Sequence, residues 1–251
     1  MMNLKALVYA ICFFCLMTGG LYSQEEEMSI APATVAGENL DLQAVMEMFK
    51  ESESVEDFEK SLNTPESEIN NLDLNEDGEI DYIRVVELAE GDSHLFALQV
   101  QLAENEFQDV ATIQIEKSGD DTIIQAAGDP EIYGNNYIIE PASSSVMYVR
   151  TWPIVSAIYS PGYRLWLSPW RWRTYPRWWR PWRPVTRSIY RVRTSRWTTR
   201  TVFRPTILKR EFRVYKIYKP KRKSSVLAKQ KTKRIPVKKK RSVKKKKPRK
   251  N

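Results

Sequence analysis

Cysteine, histidine and glycine are scarce in this chain of 251 residues, which holds two, one and nine of them. Both cysteines, Cys12 and Cys15, lie in an apolar run near the start. Without that run the chain has no thiol. A disulfide framework, a zinc–thiolate site and a cysteine nucleophile are then excluded. The one histidine, His94, is a single candidate base with no nucleophile motif beside it, and it reads as an ordinary strand-edge side chain. No GxSxG, phosphate loop or HExxH stretch occurs. Carboxylates are numerous, but no pair stands out as an acid–base couple. The expectation is a protein that is not an enzyme, with an unidentified carboxylate site as the alternative.

Two further absences are regional. Tryptophan is missing before Trp152, and all eight lie between Trp152 and Trp197. Acid is missing from the back half: residues 151–251 hold 34 Lys and Arg against one acid, Glu211. Residues 24–150 are the reverse, with 30 Asp and Glu against 5 Lys and Arg. The formal net charge of +9 hides this split. Such a shift marks two differently built regions and raises the prospect of a polyanionic partner for the basic one. A boundary is placed near Pro141.

The start has a short n-region with Lys5, an apolar run from Ala6 to Met17, and a turn to acidic residues at Glu25-Glu26-Glu27. That is the anatomy of a secretory signal peptide, expected over residues 1–23. The apolar run is short for a membrane span, so no integral span is expected after cleavage. The expected location is the periplasm, the outer-membrane surface or the extracellular space.

Residues 24–36 read as a flexible lead-in and 37–141 as an acidic α+β domain. Leu42, Val45, Met46 and Phe49 fall at helical spacing behind Asp41, a fitting N-cap. A second short helix fits Ser54–Leu62, with Ser54 and Asp57 as a capping box. Thr64-Pro65 opens a third. From Ile80 the period changes to two. Strands are predicted at Ile80–Leu88, Leu95–Leu102, Val110–Lys117 and Thr122–Ala126, with a short fifth at Tyr137–Ile139. Two or three short helices before an antiparallel meander define the α+β class, with one sheet face buried by the helices.

One stretch carries recognisable chemistry: Asp73-Leu74-Asn75-Glu76-Asp77-Gly78-Glu79-Ile80-Asp81. It resembles the first nine positions of an EF-hand calcium loop. Oxygens at positions 1, 3 and 5 converge on one hard cation, glycine at position 6 permits the turn, and position 7 offers a carbonyl. The resemblance implies Asp73, Asn75 and Asp77 as side-chain ligands, the Glu79 carbonyl, and Asp81 at position 9. Position 12, a bidentate glutamate in the family, is Arg84 here. The segment after the loop reads as a strand, not a helix. The implied cofactor is therefore weakly held, structural Ca2+, on the order of 10⁻⁴–10⁻³ M. The competing reading of the same residues is a tight polar turn.

The basic half divides in two. Residues 142–218 interleave Trp, Arg and Pro, as in Trp170-Arg171-Trp172-Arg173 and Trp178-Trp179-Arg180-Pro181-Trp182-Arg183. Frequent proline argues against a long helix or a central strand, so largely irregular structure is expected. Partial alternation from Ile189 to Tyr218 suggests extended chain. Arginine beside tryptophan suits cation–π stacking, membrane interfaces and stacked bases or sugars. Residues 219–251 hold 18 Lys and Arg and no acid, which predicts a disordered, like-charged tail.

The order of parts, including Tyr133-Gly134-Asn135-Asn136-Tyr137, resembles uncharacterised exported proteins of the Bacteroidota kind. That resemblance implies envelope residence and no particular activity. The function expected is a non-enzymatic envelope protein. Its calcium-stabilised domain carries a cationic, aromatic tail that meets anionic surface polymers or lipid headgroups. Nucleic acid is the alternative partner, and the chain's own acidic half is a competing one.

Overall fold

Six antiparallel strands in the order β1 to β6 form the one sheet of the described chain. They are β1 (Ile83–Glu90), β2 (Ser93–Ala103), β3 (Glu106–Ser118), β4 (Asp121–Gly128), β5 (Ile138–Pro141) and β6 (Phe203–Thr206). The computed structural model describes residues 31–119, 121–142, 148–199, 203–226 and 228. The expected signal peptide, most of the lead-in and most of the lysine-rich tail lie outside the described residues.

Local chemistry sets the front half. Helix α1 (Leu42–Glu51) starts where the Asp41 carboxylate accepts from the Gln43 and Ala44 N–H groups at 2.9 and 3.4 Å, which satisfies donors a helix start leaves free. Helix α2 (Val55–Leu62) starts with Ser54 Oγ accepting from Asp57 N at 3.1 Å. The return bond runs from Glu53 N to the Asp57 carboxylate, one residue before the expected Ser54. The predicted third helix is a single 3-10 turn, Pro65–Ser67, closed by Glu68 in the left-handed region. A two-residue turn at Gly91-Asp92 joins β1 to β2, with Gly91 at φ 60°, as hairpin twist favours.

Phe49 meets Phe58 and Phe96 with ring centroids at 5.1 and 5.4 Å, which locks α1 and α2 onto the inner sheet face. That face is lined by Phe96, Leu98, Val100, Ile113 and Ile115. The same core takes in Val149, Trp152 and, from α4 (Pro153–Ile158), Ile154, Val155 and Ile158. The basic half thus supplies part of the core.

The outer face is covered too. Leu95 and Ala97 pack beneath Phe212, Val214 and Tyr218, with α6 (Tyr215–Tyr218) lying on this side. Helix α3 (Pro130–Tyr133) lies between β4 and β5.

Within residues 142–218 most of the described chain lies outside helix and strand, but the extended reading from Ile189 needs correction. Arg187–Thr198 forms a helix, α5, although the alternation from Ile189 suggested extended chain. Tyr190, Thr194 and Trp197, at helical spacing, turn toward the front half, while Ile189 and Val192 face solvent. Apolar residues on the exposed side produced the misleading pattern. Among the described residues of this segment, Phe203–Thr206 is the strand, where β6 pairs with β5. Among the described residues no helix is long and apolar enough to cross a membrane.

Candidate functional site

The 73–81 loop sits between α2 and β1, held by its own side chains. Asp73 Oδ1 accepts from Asp77 N at 3.1 Å, and Asp73 Oδ2 accepts from Gly78 N at 3.0 Å. Asn75 Oδ1 also accepts from Asp77 N, and Asp77 Oδ1 accepts from Glu79 N at 2.9 Å. Gly78 has φ 86° and open space where a Cβ would stand, so its conformation and not its size requires glycine. Asp81 folds back, its Oδ2 accepting from Leu74 N at 2.6 Å. Burial pushes its carboxyl up to about 8, with the like charges of Asp73 and Asp77 adding to the rise. Asp73 is raised as well, by burial and then by Asp77.

Among the described residues no three His, Cys, Asp or Glu side chains are gathered tightly enough to hold a metal ion. The loop's oxygens are spent first on its own N–H groups. Arg84, at the twelfth position, turns away from the loop: its Nη2 donates to Ser168 O at 3.2 Å and its guanidinium lies 5.5 Å from the Phe107 ring centre.

Across from the loop lies what the sequence could not place. Asn75, Asp77, Glu79, Ile80 and Asp81 form one side of a cleft of about 410 Å³, and Trp172, Arg173, Tyr175 and Trp179 form the other. Ile80 N donates to Trp182 O at 2.8 Å, joining the two sides. The Tyr175 and Trp179 rings meet at a tilt with centroids 4.5 Å apart, and Tyr82 meets both at 5.5 and 5.3 Å. Trp179 is 6% exposed, and its Nε1–H has no hydrogen-bond partner among the described residues. The Trp–Arg spacing signalled an aromatic, cationic segment. Its position beside the loop rests on contacts about a hundred residues apart, for which a sequence pattern carries no signal.

Residues 163–185 form a strap across the β1 edge. Glu87 Oε2 accepts from Tyr163 Oη at 2.6 Å and Trp166 N at 2.7 Å on the inner face. On the outer face Gln101 Oε1 accepts from Trp172 N at 2.8 Å. His94 is buried, with Nδ1 2.8 Å from Glu87 Oε1. That carboxylate also holds the strap, so the His94–Glu87 pair is a closed structural link.

The arginines fall into two sets. Arg187 and Arg191 pair with Glu38, Arg193 and Arg196 with Glu68, and Arg204 and Arg210 with Glu140. Arg213 pairs with Glu116 and Arg222 with Asp129. By contrast, Arg164, Arg171, Arg173, Arg177, Arg180 and Arg183 of the strap are all exposed, and none meets a carboxylate among the described residues. Trp178 is exposed among them.

No protein-family model matches this chain, no curated protein matches it, and no solved structure matches its fold.

Proposed function

We propose that this is an exported, non-enzymatic envelope protein that binds anionic surface polymers through the 163–185 strap, with Ca2+ as a structural ion in the 73–81 loop. The partition of the arginines carries this reading. Arginines that dock the back half are neutralised by front-half acids, so they add little to the external field. The six strap arginines keep their charge facing solvent and stand beside indole rings. A phosphate or carboxylate polymer that meets them releases counterions, while Trp172 and Trp178 offer faces for sugar rings or lipid headgroups.

The calcium part rests on donor chemistry. Asp73, Asn75 and Asp77 side chains, the Glu79 carbonyl and Asp81 offer five oxygen groups, and Ca2+ takes six to eight. Water or a ligand oxygen would complete the shell on the cleft side. The loop already forms the turn that such a site needs, with Gly78 in its left-handed conformation.

The test uses the full chain and a variant with the six strap arginines changed to glutamine. Lipopolysaccharide, anionic vesicles, an acidic glycan and duplex DNA are compared across a salt series. Affinity for an envelope polymer that falls steeply with salt, and a shallower slope in the variant, support the reading. Salt-insensitive binding, an unchanged variant or a preference for DNA would overturn it.

A further inference from the structure

A second cavity, lined by no residue of the strap, lies on the outer sheet face between β3, β4, the 135–138 turn and the 209–222 segment. Its volume is about 350 Å³, within the range of small-molecule sites. The floor is made of small groups: Ala111 and Thr112 from β3, Ala127 and Gly128 from β4. Gly128 is held small from below, since a Cβ there would sit 2.5 Å from the Tyr133 ring. Elsewhere on this face Phe212 and Val214 fill the space above Leu95 and Ala97, and Tyr218 joins that cluster to the cavity wall. Over these small residues the roof stands clear.

The polar groups around the opening divide into committed and uncommitted ones. Arg222 is committed, with Nε and Nη2 donating to the Asp129 carboxylate at 2.6 and 2.8 Å. Tyr218 Oη donates to Asp109 at 2.8 Å. Lys209 is not committed: its ammonium rests 4.6 Å from the Tyr215 ring centre and meets no carboxylate among the described residues. Asn135 and Asn136 are exposed and line the same cavity. Asn136 holds φ 62°, a conformation asparagine tolerates better than most residues.

We infer that this cavity binds a single sugar ring bearing one acidic group, with Lys209 taking the anion and Asn135 and Asn136 taking ring hydroxyls. Among the described residues lining the cavity, the one cation without a carboxylate partner, Lys209, matches one negative charge. Each amide offers both donors and an acceptor, as neighbouring hydroxyls require. The Tyr215 ring supplies an apolar wall, and the floor of small residues admits a single sugar ring without a long aliphatic tail. The carboxylate of a sugar acid and the phosphate of a sugar ester share this chemistry, whether the sugar is free or ends a chain. This site shares no residue with the strap, so its test is independent of the polymer reading.

The test is calorimetric titration of the full chain with glucuronate, a glucose phosphate ester, glucose, acetate and a short glucuronate-terminated oligosaccharide. Binding of glucuronate or the phosphate ester, well above glucose and acetate, is expected. The stronger of the two identifies the acidic group, and the oligosaccharide separates a free sugar from a chain end. Lys209→Met removes an exposed charge and should weaken binding roughly tenfold or more, the size of a lost charge-assisted hydrogen bond. Ala127→Leu fills the floor and should abolish binding, with circular dichroism checking the fold. Absence of binding in every arm, equal binding of acetate, or indifference to Lys209→Met would overturn the assignment.

Discussion

The Trp166 indole Nε1–H donates to the Glu59 carboxylate at 2.9 Å, joining residues 107 positions apart. Glu59 lies on α2, is 1% exposed, and is the point where strap, helix and sheet edge meet. It also accepts from Val85 N at 2.8 Å, Ser168 Oγ at 2.7 Å and Tyr82 Oη at 3.0 Å. A carboxylate surrounded by four donors is satisfied as an acceptor, yet burial still raises its pKa above the ordinary 4.5. Desolvation therefore outweighs the donors.

The first prediction concerns this group. Glu59→Ala takes the acceptor from four donors, three of them in buried contacts, and each buried donor left unpaired costs about 1–3 kcal/mol. With partial relaxation we expect a loss of at least about 3 kcal/mol in denaturant unfolding. Glu59→Gln keeps the shape but titrates nothing, which isolates the pH dependence. A carboxyl whose folded pKa is raised contributes stability that is fully present below its unfolded value. That stability is lost as pH rises through the folded value. The stability gap between wild type and Glu59→Gln should therefore be widest near pH 4 and narrow toward neutral pH. A gap that grows with pH would mean the donors win and the shift is downward.

The second prediction separates buried from exposed ion pairs. Arg222 reaches a nearly buried Asp129, which also accepts from Glu131 N at 3.0 Å. Arg213 and Glu116 pair in a more exposed setting, at 2.8 Å. Removing one partner of a buried pair strands a charge, whereas exposed pairs are worth about 0–1 kcal/mol. Arg222→Met should cost about 2–3 kcal/mol, discounted for the partial exposure of Arg222. Arg213→Met should cost less than about 1 kcal/mol. Equal losses in thermal melts would show that burial does not decide the value of these contacts. By the same argument, molar salt should not release the back half to protease, because apolar burial and side chain–backbone bonds outweigh the screened pairs.

How much of this was legible in the sequence depends on range. The caps at Asp41 and Ser54 and the strand alternation are local, and the sequence shows them directly. The meander register comes from the period of two and the Gly91 turn. The outer face was less legible: the sequence predicts helices burying one sheet face and carries no reading for the other, yet its polar Gln99, Gln101, Thr112, Gln114 and Gln125 are all buried. Several are docking points instead. Gln125 donates to Leu208 O at 2.7 Å and accepts from Arg210 N at 3.0 Å, and Gln108 accepts from Ser225 N at 2.8 Å. A glutamine pairing with main chain looks, in sequence, the same as one facing water. The loop residues of the candidate site were readable by spacing. Their neighbours Trp172, Tyr175 and Trp179 were readable only as composition, since nothing local places them opposite Asp77.

The third prediction is calcium dependence. If the loop takes Ca2+ with a dissociation constant on the order of 10⁻³ M, tenfold excess should stabilise by about 1.4 kcal/mol. The melting temperature should climb with millimolar Ca2+, and Mg2+, which demands stricter geometry, should do less. Asp77→Asn removes a charge from an exposed position and should blunt the response without unfolding the chain. No shift at millimolar Ca2+ would leave the loop as a polar turn closed by its own Asx bonds.

The last prediction concerns the free side of β1. Strand β1 ends the sheet, and an open edge templates pairing with another chain. Here the edge is covered group by group. Asn63 Oδ1 accepts from Ile83 N at 2.8 Å, and its Nδ2 donates to Ile83 O at 2.7 Å. Glu59 takes Val85 N, and the strap completes the row: Trp166 O accepts from Glu87 N at 2.9 Å, and Ser168 N donates to Val85 O at 3.1 Å. The strap thus protects the edge as well as presenting its arginines. Ser168→Pro removes that donor and forces the strap away from Val85. The variant should self-associate through β1, seen as rising light scattering and thioflavin signal below its melting temperature, while the arginine-to-glutamine strap variant should not. The two outcomes separate the strap's backbone role from its charge. A Ser168→Pro protein that stays monomeric would show that Asn63 and Glu59 alone suffice to close the edge.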